Sequence, residues 1–191
     1  MLKKWIILFV SMGLFVSNSG ESKGEDALLS SQLHYLLGNQ YIDEGNFDEA
    51  IAEYEKAISI YPDLPEAENN LGFALYKKGD FFNAIIHYKN AIRIKPDYAT
   101  AFNNLGVAYY MVGDYLRAIS SYNKAIELRP DYVKAHMNLA GCYFKQGKYK
   151  EALRKYDEAK KINKTYVSER VSREKVKNTF SETELKKLKG R

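Results

Sequence analysis

Apolar residues along most of this chain recur at steps of three and four, the spacing that places side chains on one face of an α-helix. In the segment ATAFNNLGVAYYMVGD, this face includes Leu105 and Tyr109. The segment that follows carries a second stripe through Ala118, Tyr122 and Ala125. Both stripes must be buried, and small alanines let two helices approach closely. The pattern therefore predicts a pair of antiparallel helices.

Turn-forming residues separate the two predicted helices and end the second one. Gly113 suits a helix ending with positive φ, and Asp114 behind it is an N-cap candidate for the next helix. Pro130 cannot continue a helix, and we expect Asp131 to cap the helix that follows. These boundaries predict a unit of helix, tight turn, helix and second turn.

The same unit occurs four times with a period of 34 residues. Five columns keep their residue type in every copy: Leu37, Leu71, Leu105 and Leu139; Gly45, Gly79, Gly113 and Gly147; Ala50, Ala84, Ala118 and Ala152; Tyr54, Tyr88, Tyr122 and Tyr156; Ala57, Ala91, Ala125 and Ala159. Pro62, Pro96 and Pro130 close the first three copies, whereas Lys164 stands at that position in the fourth. Since one helix pair cannot cover its apolar stripe, each copy must pack against the next.

The leucine, small-residue, tyrosine, alanine, aromatic and proline columns together resemble the tetratricopeptide repeat family over residues 31–164. The resemblance implies an all-α fold, a right-handed superhelical solenoid of antiparallel helix pairs with a C-terminal capping helix. Departures from the family pattern are mild. The first helices carry His34, Glu68, Phe102 and His136 where the family prefers tryptophan, and Ala140 replaces a glycine.

The repeat boundaries and the flanking composition predict the domain organisation. The segments are an N-terminal signal (1–20), a linker and helix lead-in (21–30), four repeats (31–64, 65–98, 99–132 and 133–164), and a basic capping helix and tail (165–191). Val167 and Val171 give the capping helix a thin apolar stripe, and Ser181 with Glu184 predicts a short last helix opened by a capping box.

The first twenty residues have the layout of a secretory signal peptide. Lys3 and Lys4 precede an apolar run from Trp5 to Val16, and the small and polar SNSGES follows. Twelve helical residues span about 18 Å, against a hydrocarbon core of about 30 Å, so a cleaved signal is favoured over a spanning helix. An uncleaved anchor is the alternative. Either predicts a periplasmic or secreted array, or one anchored to the membrane and facing the periplasm.

Charge is distributed unevenly along the chain. Residues 21–60 carry nine acidic and two basic side chains, a net charge of −7, whereas residues 161–191 carry ten basic and four acidic, a net charge of +6. The basic tail has the charge to reach anionic lipid, nucleic acid or an acidic protein, but a basic, solvated capping helix is the favoured interpretation. The export signal argues against nucleic acid.

Groups that converge for catalysis are absent from the sequence pattern. His34, His87 and His136 stand at different repeat positions without a second histidine at metal-ligand spacing, and we interpret His34 and His136 as core or rim residues. Cys142 is the sole cysteine, which excludes an internal disulfide, and we expect it to be a small packed side chain. We therefore expect no enzyme activity, no cofactor and no metal.

The family resemblance implies that the first helix of each pair lines an inner groove and meets the ligand at defined positions. Carried over to this sequence, the candidate protein-binding residues are Asn39, Asn69, Asn70, Phe73, Tyr76, Lys77, Asn103, Asn104, Tyr110, Met111, Lys134, Asn138, Phe144 and Lys145. The expected partner is another protein, presented as an extended peptide or a helix, and self-association through the array ends remains open.

One column of the groove is asparagine in three copies, at Asn70, Asn104 and Asn138. A row of amides offers both a donor and an acceptor to the backbone of an extended peptide at each step. The alternative is that each amide bonds to the adjacent repeat. Aromatic residues beside this column are expected to be exposed anchors for a partner's side chains. They are Phe73, Tyr76, Tyr110 and Phe144.

These features predict an exported, non-enzymatic scaffold that holds a peptide or helix of a partner, in assembly or tethering of an envelope complex. The alternative is an anion- or membrane-directed adaptor that acts through the basic tail. The clamp by which some co-chaperones hold the carboxyl terminus of heat-shock chaperones is disfavoured, because only Lys134 and the asparagines match its pattern.

Overall fold

The computed structural model describes residues 22–174, and every helix in that range belongs to one linear array. The helices are α1 (Ser22–Glu44), α2 (Phe47–Ile60), α3 (Pro65–Lys78), α4 (Phe81–Ile94), α5 (Ala99–Met111), α6 (Tyr115–Leu128), α7 (Val133–Lys145), α8 (Tyr149–Ile162) and α9 (Lys164–Glu174). The predicted all-α fold is confirmed, with two helices in each 34-residue unit.

Packing follows chain order from one end of the array to the other. Within each pair the first helix packs along the second, as α1 does on α2, and each second helix then packs on the first helix of the next pair. First helices also contact the next first helices, more closely than second helices approach one another. The first helices therefore line the inner, concave side of the stack and the second helices its outer, convex side.

The turns between paired helices use the chemistry that the sequence predicts. Gly113 has a φ of 83°, and the other three glycines of its column also lie in the left-handed region. Asp114 caps α6 by accepting a hydrogen bond from the Arg117 amide at 3.0 Å. The predicted cap at Asp131 is wrong. Tyr132 is the N-cap residue of α7, so Asp131 lies one residue too early for its side chain to cap.

A tyrosine from each second helix fills the space inside its pair. Tyr54, Tyr88 and Tyr122 are at most 2% exposed. Each ring lies against a glycine of the first helix. A Cβ at Gly106 would sit 2.6 Å from the ring of Tyr122, and Gly38 and Gly72 are equally tight. In the fourth pair Ala140 replaces the glycine, and Tyr156 is more exposed, at 8%.

The two ends of the described array are closed by helix. Residues 22–30, expected to be a linker and lead-in, belong to α1, so the linker part of that prediction is wrong. At the other end, Val167 of α9 is fully buried against Met137 and Tyr156, which confirms the predicted capping role. The predicted signal segment and the last predicted helix lie outside the described residues.

Between residues 22 and 174, none of the helices combines the length and the apolar character needed to cross a bilayer.

Replacing Gly106 with alanine tests the tyrosine–glycine contact. Overpacking a core costs about 1–3 kcal/mol, while alanine gains about 0.5–1 kcal/mol over glycine inside a helix. We therefore expect Gly106→Ala to lower the free energy of unfolding by about 1 kcal/mol, since the Tyr122 ring is too buried to move freely. Urea unfolding followed by circular dichroism measures the change.

Gly141→Ala is the matched control, because a Cβ at that helical glycine meets no other atom within 4 Å. It should raise stability by about 0.5–1 kcal/mol, the helix-propensity gain alone. If both variants were stabilised equally, the tyrosine–glycine contact would not limit the approach of the helices.

Candidate functional site

A continuous chain of side-chain hydrogen bonds runs along the array through its asparagines, and we call it the asparagine ladder. From the C-terminal end, Arg170 Nη2 donates to Asn138 Oδ1 (2.8 Å), Asn138 Nδ2 to Asn103 Oδ1 (2.8 Å), Asn103 Nδ2 to Asn104 Oδ1 (3.3 Å), Asn104 Nδ2 to Asn69 Oδ1 (3.0 Å), Asn69 Nδ2 to Asn70 Oδ1 (3.0 Å), and Asn70 Nδ2 to Asn39 Oδ1 (2.8 Å). The Tyr54 hydroxyl also donates to Asn39 Oδ1, at 2.7 Å.

The asparagine ladder joins each first helix to the next. The three links between repeats point in the same direction, with the amide nitrogen of the later repeat donating to the carbonyl oxygen of the earlier one. Hydrogen bonds aligned in this way polarise one another. Of the two readings that the sequence left open, bonding to the adjacent repeat is present in the structure.

Peptide binding by the same amides remains a prediction. An asparagine side chain has two N–H donors and two acceptor sites on its oxygen, so one ladder bond in each direction leaves capacity unused. Asn70, Asn104 and Asn138 are only partly buried, which leaves that capacity accessible on the groove side, except that the second N–H of Asn70 donates to the Tyr35 hydroxyl at 3.5 Å.

Two predicted groove residues are placed elsewhere. Asn69 and Asn103 are only 4% and 5% exposed, because their position faces the first helix of the next pair. They hydrogen-bond to the column asparagines from a buried position and are not accessible to a ligand. Of the remaining predicted residues, Asn39 and the three column asparagines are partly buried, while the long side chains are exposed. These are Lys77, Met111, Lys134 and Lys145.

The predicted aromatic anchors are less exposed than expected. Phe73, Tyr76, Tyr110 and Phe144 are all partly buried. Three of these rings pack on the first residue of the following helix: Tyr76 on Phe81 (centroids 5.5 Å apart), Tyr110 on Tyr115 (5.4 Å) and Phe144 on Tyr149 (5.4 Å). They therefore fasten the turn within each pair and present only part of each ring to the groove.

Charge along the groove changes from one end to the other. On α1 the second and thirteenth repeat positions carry Gln32 and Asp43, whereas on α7 they carry Lys134 and Lys145, and all four are exposed. Between the two lysines lies Gly141, where the groove floor has open space. Together with Arg170 on the ladder, the C-terminal end of the groove is basic and roomy.

Each histidine pairs with a glutamate across the two helices of its own repeat. His34 Nδ1 lies 2.6 Å from Glu53 Oε2, and His87 Nδ1 lies 2.7 Å from Glu68 Oε2. The second pair has the residue types exchanged. Glu68 stands at the repeat position of His34, and His87 stands at that of Glu53. His136, which is 5% exposed, bonds to the Pro130 carbonyl at 2.8 Å and lies near Glu158.

These pairs confirm that His34 and His136 are core or rim residues. Burial acts to raise the pKa of Glu53, but hydrogen bonds and charges from Lys56 and His34 outweigh it, so the pKa is lowered. Glu158 behaves in the same way, with Lys155 and His136 overcoming the effect of burial and lowering its pKa. The carboxylates are held ionised as structural partners.

Cys142 is fully buried, with its Sγ 3.6 Å from the Tyr115 carbonyl oxygen. Burial raises the pKa of the thiol to about 11, which suppresses the reactive thiolate. This confirms the expected packing role. Among residues 22–174, no group of three or more metal-ligating side chains of the His, Cys, Asp and Glu types lies close enough together to hold a metal ion.

Sequence reasoning missed a set of exposed apolar residues on the convex side. Phe82 and Leu116 are each 74% exposed and Ile86 is 53% exposed. A signal was present, since Phe82 and Leu116 occupy the repeat position that holds Asp48 in the first copy and Lys150 in the fourth.

Family models match most of the described array. A TPR repeat model matches residues 38–79 and 74–113, and a tetratricopeptide repeat model matches residues 103–166. The chain belongs to the tetratricopeptide repeat family. Members of this family are generally non-enzymatic scaffolds, so membership supports a protein–protein interaction scaffold as the general function of this tetratricopeptide repeat protein.

Solved structures share the fold. MamA is 26% identical, with a TM-score of 0.68, and the alignment covers 72% of this chain and 81% of MamA. The first TPR of Spaghetti (RPAP3), solved bound to the HSP90 peptide SRMEEVD, is 24% identical, with a TM-score of 0.61 over 62% of this chain and 94% of that one. Among curated proteins, none matches the chain significantly.

Asn103→Ala should break the asparagine ladder at its centre. Asn103 accepts from Asn138 and donates to Asn104, so its loss leaves two amides without partners in a partly buried site. An unsatisfied buried group costs about 1–3 kcal/mol, and we expect a loss of that size in the free energy of unfolding. Asn123→Ala, at an exposed asparagine on α6, is the control. Equal stability of the two variants would contradict a structural ladder.

Glu53→Gln should lower stability in a pH-dependent way. Because the folded-state pKa of Glu53 is lowered, its stabilisation is present above the ordinary glutamate pKa of about 4.3 and is lost as the pH falls through the folded value. We expect the melting temperature of the variant to lie below that of the unmodified protein at pH 7 and to converge with it in acid. Glu55→Gln, at an exposed glutamate, should show no such convergence. A pH-independent difference for Glu53→Gln would contradict the ion pair.

Proposed function

We propose that this tetratricopeptide repeat protein is an exported interaction scaffold that holds an extended peptide of a partner protein in its concave groove, with the acidic end of the peptide at the fourth repeat. The observation that carries the proposal is the asparagine ladder, whose partly buried amides face a groove that becomes basic along its length. The general scaffold function follows from family membership, and the occupant and its direction are proposed here.

An extended peptide suits the amides of the groove better than a folded surface does. Its backbone offers an N–H and a C=O at every residue. Asn104 and Asn138 each retain an unused N–H donor, and all three column asparagines retain acceptor capacity. The second N–H of Asn70 donates to the Tyr35 hydroxyl at 3.5 Å. Contacts to backbone give affinity without selecting a side chain. The complex solved for the first TPR of Spaghetti concerns another protein, and for this chain it supports only that such a fold can accommodate a peptide.

Side chains that vary between repeats would determine the direction in which the peptide binds. Lys134 and Lys145 lie on the same face of α7 as Asn138, one to two turns away on either side, with open space at Gly141 between them. The two lysines are about 16 Å apart along α7, so they suit a peptide segment that carries more than one carboxylate. At the other end Asp43 would repel one, so a peptide with one acidic end binds in a single direction.

The cellular setting is proposed from sequence. The basic, apolar and small-residue order of the first twenty residues supports export to the periplasm or beyond, with an uncleaved anchor as the alternative. An exported scaffold of this kind would assemble or tether an envelope complex. The alternative function, binding of anions or membranes through the basic tail, rests on residues outside the described range.

The test begins with panning random twelve-residue peptides against the full-length protein. Peptides that bind should be enriched in acidic residues toward one end. An enriched peptide is then measured by fluorescence anisotropy against Lys134→Glu/Lys145→Glu. We expect at least about tenfold weaker binding, equivalent to about 1.4 kcal/mol, because two attractive charges become repulsive.

A matched control changes the same charge on the opposite side of the array. Lys89→Glu/Arg93→Glu alters two exposed residues of α4 and should leave the affinity within about twofold, since charges on the far face are screened beyond a Debye length of about 8–10 Å. Failure to enrich any peptide would overturn the proposed function. Enrichment with equal loss in both variants would overturn the groove as its location.

A further inference from the structure

The convex side of the array carries apolar side chains that no packing requirement explains. Phe82 on α4 and Leu116 on α6 are each 74% exposed, more than any other large apolar residue between positions 24 and 170. They are one period apart and so occupy the same position on consecutive second helices. Ile86, one turn after Phe82, is 53% exposed.

Comparison among the four repeats shows that this position does not require an apolar residue. The first repeat has Asp48 and the fourth has Lys150 there, and both are exposed in the same solenoid. The stability of the array therefore does not require Phe82 and Leu116 to be apolar. Contiguous exposed apolar surface marks a site of interaction, and Phe82 and Ile86, one turn apart on α4, form such a contiguous pair.

Basic residues accompany these apolar side chains. Phe82, Ile86, Lys89 and Arg93 follow one another at steps of four, three and four, so they share one exposed face of α4. That helix contains no acidic residue. In the fourth repeat the positions of Phe82 and Ile86 are taken by Lys150 and Arg154, both exposed. From α4 to α8 the convex face thus combines apolar side chains with an excess of exposed cationic ones, although Glu127 takes the position of Arg93 on α6. The exposed charged residues of α2 are mainly acidic, so the basic apolar surface begins at the second repeat.

We propose that this convex face, defined by Phe82, Ile86, Leu116, Lys89 and Arg93, docks on the surface of an anionic lipid bilayer. Apolar side chains enter the headgroup boundary while lysine and arginine contact the phosphates, as on helices that lie in a membrane interface. A bilayer admits each protruding side chain independently. A protein partner would need separate pockets at the matching spacing, so the separated tips favour lipid.

Docking through the convex face leaves the concave groove open, because the two surfaces lie on opposite sides of each helix pair. The proposal is independent of the peptide proposal, and either can fail alone. It also differs from membrane attachment through the basic tail, since it requires residues of α4 and α6 to enter the bilayer interface.

The test places an environment-sensitive fluorophore at single positions in the full-length protein. Because Cys142 is fully buried, an introduced exposed cysteine is the thiol that labels. Leu116→Cys carries the NBD label on the convex face, and Met111→Cys, 46% exposed on the groove side, is the matched control. Each labelled protein is mixed with vesicles of phosphatidylcholine alone or of phosphatidylcholine and phosphatidylglycerol in equal parts.

With the anionic vesicles, we expect the label at position 116 to shift to the blue and at least double in intensity, and to be quenched by nitroxide on the lipid chains. The label at position 111 should not change. Lys89→Glu/Arg93→Glu and Phe82→Ser should each raise the lipid concentration needed for half of the response at 116 at least about tenfold. Added salt should raise it further. Leu29→Ser, at a 66% exposed residue of α1, should leave it unchanged.

Two results would overturn the proposal. Protein that sediments with vesicles while the label at 116 stays in water is held by another segment, such as the tail. A blue shift at 116 that rises with protein concentration in the absence of lipid, together with a doubled mass in solution, would assign the convex face to a second copy of the chain. Circular dichroism confirms that each variant retains its helical fold.

Discussion

The close contact between a buried tyrosine of each second helix and a glycine of the first sets the separation of the helices on which the array depends. At Gly38, Gly72 and Gly106 any side chain would lie within 3 Å of the ring. The ring fills the space between the two helices. The helices therefore cannot approach more closely without a clash, and they cannot separate without leaving a cavity. The geometry of the groove, the asparagine ladder and the convex face depends on this spacing, because each is built from equivalent residues of consecutive helix pairs.

The asparagine ladder couples the helix pairs that the tyrosines hold together. Stacks of this kind gain stability from each unit and from each junction between neighbours. Here every junction contains a buried or half-buried amide that must be satisfied, and asparagine satisfies it because one side chain both donates and accepts. The two ends differ chemically: a tyrosine hydroxyl closes the ladder at Asn39, and a guanidinium closes it at Asn138. The ladder therefore has a direction, and the guanidinium at the last repeat complements the accepting oxygen of Asn138 at that end.

Sequence predicts the fold well because the columns that build it are also the columns that repeat. Leu105, Tyr122 and Gly113 are readable by their spacing, and the structure places them in the core and at the turn. Asn69 and Asn103 were misplaced because periodicity locates a residue on a helix but does not say which neighbour covers it. The aromatics beside the groove were misjudged for the same reason, since Tyr110 packs on a residue of the next helix. The exchange of partners between His34–Glu53 and Glu68–His87 becomes visible only when both helices are placed.

Residues that the packing does not fix carry the specificity of the array, and on both faces the first repeat is more acidic than the fourth. The groove runs from Asp43 at the first repeat to Lys134 and Lys145 at the fourth, while the convex position runs from Asp48 to Lys150. The same difference between the ends of both faces gives the solenoid one electrical polarity. Any charged partner long enough to contact several repeats then meets opposite charge at only one end, so it binds in a preferred orientation. A single repeat could not provide this, and the number of stacked copies is therefore a condition for direction as well as for stability.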